Sequence, residues 1–247
     1  MFNQILPKPD YKIVADKICQ FLKREFKKRN KALAIVGVSG GVDSSLTAEL
    51  CRRAGLELKR VSMPYGENSS YLKNYSLKVD ITKIVDQHLK DIGRHADLDK
   101  IDKGNIMART RMIVQYALAR RLKGLVVGTE NLSEYYLGYF TMHGDQASDI
   151  NPIAGLWKTQ AIKFAEYLGL PVRKPSAGFW QGQTDEKELG FSYEEADPIL
   201  YLYCVKKMKP EKIIKNFKLN PDLVYKVVER VKKTEYKREE IPEYGKN

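Results

Sequence analysis

The fold of this chain is decided by residues 32–45, which read ALAIVGVSGGVDSS. The first seven form a continuous apolar run without the alternation of a strand that has one wet face. Such a run is typical of a parallel strand covered on both sides. Adjacent glycines and serines follow, and Leu46 to Ala54 has helical character. We therefore predict a buried strand, a tight loop and a helix in direct succession.

Strand and helix signals alternate on both sides of this segment. Ile13 to Phe26 places its large apolar residues mostly on one helical face. The stretch 210–233 suggests two helices around Asn220-Pro221. Other strands are predicted over 60–63, 75–80 and 125–128, and other helices over 81–92, 105–122 and 158–168. The alternation predicts an α/β fold, a doubly wound and mostly parallel sheet with helices on both faces.

One connection is shorter than this fold normally requires. Only residues 65–74 separate the second predicted strand from the third. A parallel crossover with its helix usually takes about a dozen residues or more. Either these strands are not joined by a helical crossover, or the sequence lacks a stretch here. Residues 66–70 are predicted to form a flexible polar loop.

Length and composition predict one domain over residues 1–247, with C-terminal helices and a basic tail from about residue 194. No stretch approaches the roughly 18 apolar residues of a membrane span, and Met1 to Asp10 does not resemble a secretory signal. We therefore expect a cytoplasmic protein with no membrane partner. Cys19, Cys51 and Cys204 lack the short spacing of a zinc or redox site, and we interpret them as small core residues.

The formal net charge of +12 suits a polyanionic partner, which could be RNA, a membrane surface or a substrate that carries phosphates. Charge alone does not choose among these. Much of the excess lies in residues 23–31 and 232–238, where acidic or apolar residues interrupt both basic runs, as on solvated helix faces.

The glycine- and serine-rich loop carries the clearest chemistry. Gly40 and Gly41 remove side chains so that backbone N–H groups can approach phosphates, and Ser39, Ser44 and Ser45 add hydroxyl donors. The loop is not a Walker loop, because no Gly-Lys-Ser/Thr follows, and its adjacent glycines are not the dinucleotide fingerprint. A carboxylate beside phosphates needs a cation between them, so the next acidic residue, at position 43, is a magnesium candidate.

The loop resembles the SGGxDS motif of the ATP pyrophosphatase superfamily, whose members cleave ATP between the α and β phosphates and share an adenine nucleotide alpha hydrolase-like fold. Downstream blocks resemble the NAD synthetase family in order: GNIMARTRM at 104–112, GTENLSE at 128–134, GYFT at 138–141 and DINP at 149–152. Further blocks at 175–178, 182–186 and 188–193 continue the match. The resemblance runs from about Ile13 to Arg238.

The resemblance implies a role for named positions. Asp43, Glu134 and Lys158 would be catalytic, and Asp43 and Glu134 would hold Mg²⁺. Arg109, Asp149, Tyr236 and Lys237 would contact deamido-NAD. Contacts with ATP would come from Gly37, Val38, Ser39, Gly40, Gly41, Val42, Asp43 and Ser44, with Thr129, Lys158 and Ser176.

Two positions depart from the family pattern. Met142 stands where many relatives carry lysine, so a cationic substrate contact is lost or supplied elsewhere, for example by His143. Tyr236 replaces the histidine of a C-terminal His-Lys pair, which leaves Lys237 as the remaining contact. Neither change touches phosphate or metal chemistry, so substrate geometry is more in question than activity.

The implied reaction is ammonia-dependent NAD synthesis. ATP adenylates the nicotinate carboxylate of deamido-NAD, and ammonia displaces AMP. Only about 30 residues precede the first strand, too few for a glutamine amidase domain, so we expect free ammonia as the nitrogen source unless a partner subunit delivers it. The resemblance also implies a homodimer and no nucleic-acid partner. Two alternatives remain at this point: another SGGxDS ATP pyrophosphatase, such as a tRNA-modifying enzyme, and a non-enzymatic nucleotide-sensing or RNA-binding protein.

Overall fold

A computed structural model describes residues 5–66, 75–176, 178–180 and 182–245 of the chain. Its centre is a parallel sheet with strand order β3-β2-β1-β4. The strands are β1 (Leu33–Gly37), β2 (Glu57–Ser62), β3 (Leu77–Lys78) and β4 (Leu125–Val126). Strand β1 pairs with β2 on one side, Leu33 opposite Glu57, and with β4 on the other, Ala34 opposite Leu125. The predicted parallel α/β sheet is confirmed.

Helices cover both faces of the sheet. Successive residues of the buried strand point to opposite faces, and both sets are apolar, so each face needs a covering layer. Ala34 and Val36 of β1 join the core under α1 (Tyr11–Lys28), α2 (Val42–Arg53) and α6 (Lys158–Tyr167). Leu33 and Ile35 face the opposite core, under α3 (Thr82–Ile92) and α4 (Lys100–Arg121). This double burial explains why the run at 32–38 shows no polar alternation.

Several predicted boundaries moved, among them those of the second strand, predicted over 60–63 and observed at Glu57–Ser62, and two of the shifts have a local explanation. Helix α4 begins at Lys100 instead of 105, because the Asp99 carboxylate accepts hydrogen bonds from the N–H groups of Ile101 and Asp102 and caps the helix. The fourth strand was predicted over 125–128 but ends at Val126. Val127 then forms an isolated parallel bridge with Ile150, so the chain returns alongside β4.

The short connection between β2 and β3 joins parallel neighbours, with Val61 opposite Leu77. Its described parts, 63–66 and 75–76, contain no helix. The predicted polar loop at 66–70 lies, apart from Gly66, outside the described residues.

The C-terminal part adds a helical cluster beside the sheet. It contains α7 (Asp185–Leu189), α8 (Tyr193–Leu200), a π-helical turn at Tyr201–Val205, α9 (Pro210–Phe217) and α10 (Pro221–Lys233), with a short 3₁₀ helix at Glu235–Arg238. Its apolar core includes Leu137 of α5 (Leu132–Leu137) and Trp157, the residue before α6. The cluster therefore packs directly on the two helices that follow β4. No helix within the described ranges is long and apolar enough to cross a membrane.

Candidate active site

The loop after β1 combines a left-handed glycine with a helix start that has no side-chain cap. Gly40 has φ of 81°, a left-handed conformation that glycine adopts without strain. Gly41 is the N-cap of α2 and supplies no side-chain cap. Ser39 and Ser44 stabilise the loop from inside, because the N–H of Ser39 donates to Ser44 Oγ at 3.3 Å and that of Gly41 donates to Ser39 Oγ at 3.2 Å. An uncapped helix start behind such a turn is an anion site.

Beside this loop, one ammonium group bridges two carboxylates. Lys158 Nζ donates to Asp43 Oδ2 at 2.5 Å and to Glu134 Oε1 at 2.9 Å. The Lys158 side chain is 4% exposed, whereas those of Asp43 and Glu134 are 14% and 16% exposed. The three residues come from the starts of α2, α5 and α6, which all begin at the carboxyl edge of the sheet, where α/β folds bind ligands.

Asn131 forms hydrogen bonds with both Asp43, 88 positions earlier in the chain, and Glu134. Its buried side chain donates through Nδ2 to Asp43 Oδ1 at 3.2 Å and accepts through Oδ1 from the N–H of Glu134 at 3.0 Å. The N–H of Asn131 donates in turn to Glu134 Oε2 at 3.2 Å, which completes a capping box at the start of α5. The position of Glu134 relative to Asp43 is therefore set by one amide.

Burial and charge act against each other in this cluster. Burial alone would lower the pKa of Lys158, but the carboxylates of Asp43 and Glu134 outweigh it, so that its pKa is raised and the ammonium stays charged. Burial raises the pKa of Glu134 to about 7, although Lys158 opposes the shift. An additional cation at the exposed side of Glu134 would favour its ionised form.

The residues present fit a magnesium ion. The described part of the chain holds no cluster of three or more histidine, cysteine or acidic side chains that could bind a metal. Mg²⁺, however, is commonly held by one or two carboxylates together with the phosphates of a nucleotide. Asp43 and Glu134 supply that pair, and their exposed sides face the cleft.

These groups line a cleft of about 770 Å³ above the ends of β1, β2 and β4. Most of the predicted ATP contacts border it: Gly37, Val38, Ser39, Gly41, Val42, Asp43, Ser44, Thr129, Lys158 and Ser176. Gly40 belongs to the same loop but is not part of the lining. The predicted nucleotide half of the site is thus brought together within one chain.

The predicted acceptor contacts lie elsewhere. Arg109 is exposed and its Nε donates to the carbonyl of Met142 at 3.3 Å. The Asp149 carboxylate accepts the N–H of Val126 at 2.8 Å, at the edge of the sheet. Tyr236 is 59% exposed. None of the four predicted acceptor contacts, including Lys237, is among the described residues that border the cleft.

The basic C-terminal run is tied to the end of α5. Lys237 Nζ donates to the carbonyls of Gly138 and Phe140 at 2.9 and 2.7 Å. The Arg238 guanidinium donates to the carbonyl of Tyr136 at 2.9 Å and to that of Val231 at 2.6 Å. These two cations therefore satisfy backbone acceptors of their own chain, so this part of the run is not a solvated face.

Sequence reasoning missed several charged residues of the cleft wall, and Arg111 and Glu130 are two of them. Arg111 of α4 donates through Nε to the carbonyl of Met63 at 3.2 Å and lies over the Phe179 ring, 5.6 Å from its centroid. No carboxylate within the described ranges forms an ion pair with it, and burial lowers its pKa. Its signal was its place four positions after Met107, on the buried side of the helix.

Glu130 is another missed residue. It borders the cleft, and its Oε1 is buried with no hydrogen-bond partner in the described structure. Burial, and then the charges of Glu134 and Asp145, raise its pKa to about 8. A lone acidic residue in a loop carries no sequence signal that distinguishes it from a solvated one.

A parallel sheet that presents a phosphate loop beside a carboxylate–lysine cluster defines a nucleotide-using α/β enzyme. The family model described as NAD synthase matches residues 14–241. The chain belongs to the NAD synthase family: it is a ligase that forms NAD and uses ATP as co-substrate.

Individual relatives agree with this assignment. The chain is 41% identical to the NH(3)-dependent NAD(+) synthetase of Pyrococcus horikoshii, over 93% of this chain and 93% of that protein. It is 40% identical to that of Thermococcus sibiricus, over 93% and 95%. Among solved structures, the NMN synthetase from Francisella tularensis has a TM-score of 0.82 at 27% identity and covers 96% of this chain and all of that one. The Campylobacter jejuni NH3-dependent NAD synthetase reaches 0.75 at 28% identity, over 96% and 100%.

Proposed function

We propose that Asp43, Glu134 and Lys158 are the catalytic groups with which this ligase adenylates the nicotinate carboxylate of deamido-NAD. A carboxylate is a poor acceptor for ammonia, because its oxygens are bad leaving groups. One carboxylate oxygen attacks the α phosphorus of ATP and pyrophosphate departs. Ammonia then attacks the acyl carbon of the mixed anhydride, AMP leaves with that oxygen, and the new amide loses a proton.

The observation that carries this proposal is the contact of one lysine with both carboxylates beside the phosphate loop. Donors of the loop at residues 39–44 stabilise charge that grows on the departing pyrophosphate. Lys158, which stays charged, offsets the same charge. Magnesium, held by Asp43 and Glu134, would neutralise phosphate charge when it is bound. The reaction requires both substrates to be held in register, which lowers the entropic cost of the transfer.

Arg111 supports the acceptor side of the proposal. Its guanidinium borders the cleft and forms no ion pair in the described structure, although the charge of Asp145 acts on it, and a planar fork of donors suits a phosphate or carboxylate. We assign it the contact with an anionic group of one of the substrates. The earlier expectations of a homodimer, of a cytoplasmic location and of substrate contacts by Arg109, Asp149, Tyr236 and Lys237 stay predictions.

The test is isotope transfer. Deamido-NAD labelled with ¹⁸O in its nicotinate carboxylate is incubated with ATP, magnesium and ammonium, and the products are analysed by mass spectrometry. We expect NAD, pyrophosphate and AMP that carries one ¹⁸O atom, with AMP release dependent on the acceptor. Production of ADP and phosphate, or AMP without label, would contradict adenylation of the carboxylate.

A second acceptor is favoured by one specific observation. Met142 and Tyr236 stand where the family pattern has lysine and histidine contacts with the dinucleotide, and a protein that shares the fold over its whole length is named an NMN synthetase. Nicotinate mononucleotide is therefore run beside deamido-NAD in the same assay. Comparison of the two kcat/KM values identifies the preferred acceptor, and a value for the mononucleotide far below that for deamido-NAD would dismiss this candidate.

A further inference from the structure

The first N–H groups of helix α6, which begins with Lys158, are not capped by residues of the helix itself, although Gln160 accepts the N–H of Trp157. The N-cap residue, Trp157, offers no side-chain acceptor to the first N–H groups of the helix. These groups need partners because they have none inside the helix. The N–H of Lys158 donates to Ser133 Oγ at 2.8 Å, and the N–H of Thr159 donates to Asp197 Oδ2 at 2.9 Å. The start of α6 is therefore held by residues from α5 and α8.

Asp197 is the centre of this arrangement. Its side chain is fully buried, and Oδ1 accepts the hydroxyl of Ser133 at 2.6 Å. Its Oδ2 accepts both the N–H and the hydroxyl of Thr159, at 2.9 and 2.7 Å. No lysine, arginine or histidine of the described residues forms an ion pair with it. A buried carboxylate without a cation is costly unless several donors satisfy it, and here three do.

The donors to Asp197 lie next to the proposed catalytic groups. Ser133 immediately precedes Glu134 on α5, and Thr159 immediately follows Lys158 on α6. One carboxylate therefore connects the helix start that carries the acid with the helix start that carries the ammonium group. Glu134 and Lys158 must meet within hydrogen-bond distance, as they do at 2.9 Å, for the ammonium to be shared.

We propose that Asp197 is a positioning residue, which acts through Ser133 and Thr159 to hold Glu134 and Lys158 at the spacing that the adenylation step requires. This inference rests on the proposed catalytic roles of Glu134 and Lys158. Asp197 itself does not border the cleft in the described structure and touches no substrate. We expect its effect mainly on kcat, because Asp197, Ser133 and Thr159 form no hydrogen bond with the phosphate loop at 39–44 in the described structure.

The test is a double-mutant cycle between Asp197→Asn and Lys158→Ala. We expect Asp197→Asn to lower kcat by about 10- to 100-fold, as misplacement of a catalytic group does, while KM for ATP stays within about threefold. In the Lys158→Ala background, Asp197→Asn should lower kcat by less than about twofold, because the group it positions is gone. Full additivity of the two losses in kcat, or a wild-type kcat for Asp197→Asn, would overturn the inference.

Two further variants separate positioning from stability. Val224→Ala shortens a buried side chain of the same C-terminal core without touching the network. We expect it to lower the midpoint of thermal unfolding while kcat per folded molecule stays at the wild-type value. Thr159→Ser keeps the hydroxyl donor and should retain kcat, whereas Thr159→Val should lose part of it. Equal losses in kcat for Thr159→Ser and Thr159→Val would also overturn the inference.

Failure of this inference is distinguishable from failure of the proposed function. A wild-type kcat for Lys158→Ala would refute the catalytic role of the cluster. A low kcat for Lys158→Ala together with a wild-type kcat for Asp197→Asn would refute only the positioning role of Asp197. If Asp197→Asn does not fold, Ser133→Ala replaces it in the cycle, because it removes the acceptor of the Lys158 N–H. A wild-type kcat for Ser133→Ala would then overturn the positioning role.

Discussion

The two halves of the predicted site differ in how completely one chain builds them. The nucleotide half is assembled: the loop at 39–44, Asp43, Glu134 and Lys158 share one cleft. The residues predicted to contact the acceptor are scattered. Arg109, Asp149 and Lys237 form hydrogen bonds with backbone groups elsewhere in the same chain, and Tyr236 is exposed. Phosphate-binding groups that lie on one continuous strand, loop and helix start are positioned by local folding. Acceptor-binding groups that lie on separate elements come together only when the acceptor, or a second subunit, binds.

Asp43→Ala tests the assembled nucleotide half of the site and should cause the largest loss of turnover. It removes the main partner of the Lys158 ammonium and one of two candidate magnesium ligands. We expect kcat to fall by about 1,000-fold or more, a loss of charge stabilisation of several kcal/mol. Pyrophosphate release at saturating ATP measures it. Glu49→Gln, on the same helix but outside the cleft lining and paired with Arg52 and Arg53, is the matched control and should stay near wild type. A normal rate for Asp43→Ala at saturating magnesium would refute the metal role.

Arg111→Met tests whether the acceptor half also has a preassembled member. The change keeps much of the apolar stem over Phe179 but removes the guanidinium. We expect kcat/KM to fall by about 10- to 100-fold, as for loss of one charge-assisted contact. Separate titrations of ATP and acceptor show which substrate carries the anion. Arg120→Met, exposed near the end of the same helix, serves as the control. An unchanged kcat/KM for both substrates would exclude Arg111 from binding.

Glu130 predicts a pH effect on stability. Its pKa is about 8 in the folded chain against 4.5 as its ordinary value, because of burial and then the charges of Glu134 and Asp145. Between these values the folded state binds more protons than the unfolded state, so stability falls as pH rises through this window. Glu130→Gln removes that dependence. Urea unfolding should favour the variant over wild type more at about pH 9 than at about pH 6.

A matched surface change controls for general charge effects in that experiment. Glu57→Gln neutralises an exposed carboxylate at the start of β2. The difference in free energy of unfolding between this variant and wild type should be the same at both pH values. If Glu130→Gln behaves in the same way, Glu130 is not a buried acid in solution.

The last variant tests the acceptor half of the site and should have the smallest effect. The double change Met142→Lys with Tyr236→His introduces, at exposed or half-buried positions, the lysine and histidine that the family resemblance led us to expect there. We expect KM for deamido-NAD to fall by about two- to fivefold, in line with one or two weak charged contacts, and KM for ATP to stay constant. A rise in KM for deamido-NAD would indicate that the chain already binds its acceptor by a different route.

The sequence predicted the parallel sheet and the strand–loop–helix unit because each depends on a local pattern, whereas the individual nucleotide contacts stay predictions. The apolar run of β1, the adjacent glycines and the helix after them are neighbours in the chain, and β1 pairs in the parallel sheet as expected. Arg111, Glu130 and Asp197 could not be found this way. Their roles depend on burial against residues far along the chain, such as Ser133 and Thr159 for Asp197, and a single charged letter does not report burial.

The bonds from Arg238 to the end of α5 have a consequence for synthesis of the chain. Arg238 lies 102 positions after Tyr136, whose carbonyl it holds. A growing polypeptide therefore exposes its strands and its glycine loop well before the anchor of the helix that carries Glu134 has been made. We expect nascent chains that end before residue 238 to collapse around the sheet yet to consume no ATP, so that turnover begins only once the last basic run has left the ribosome.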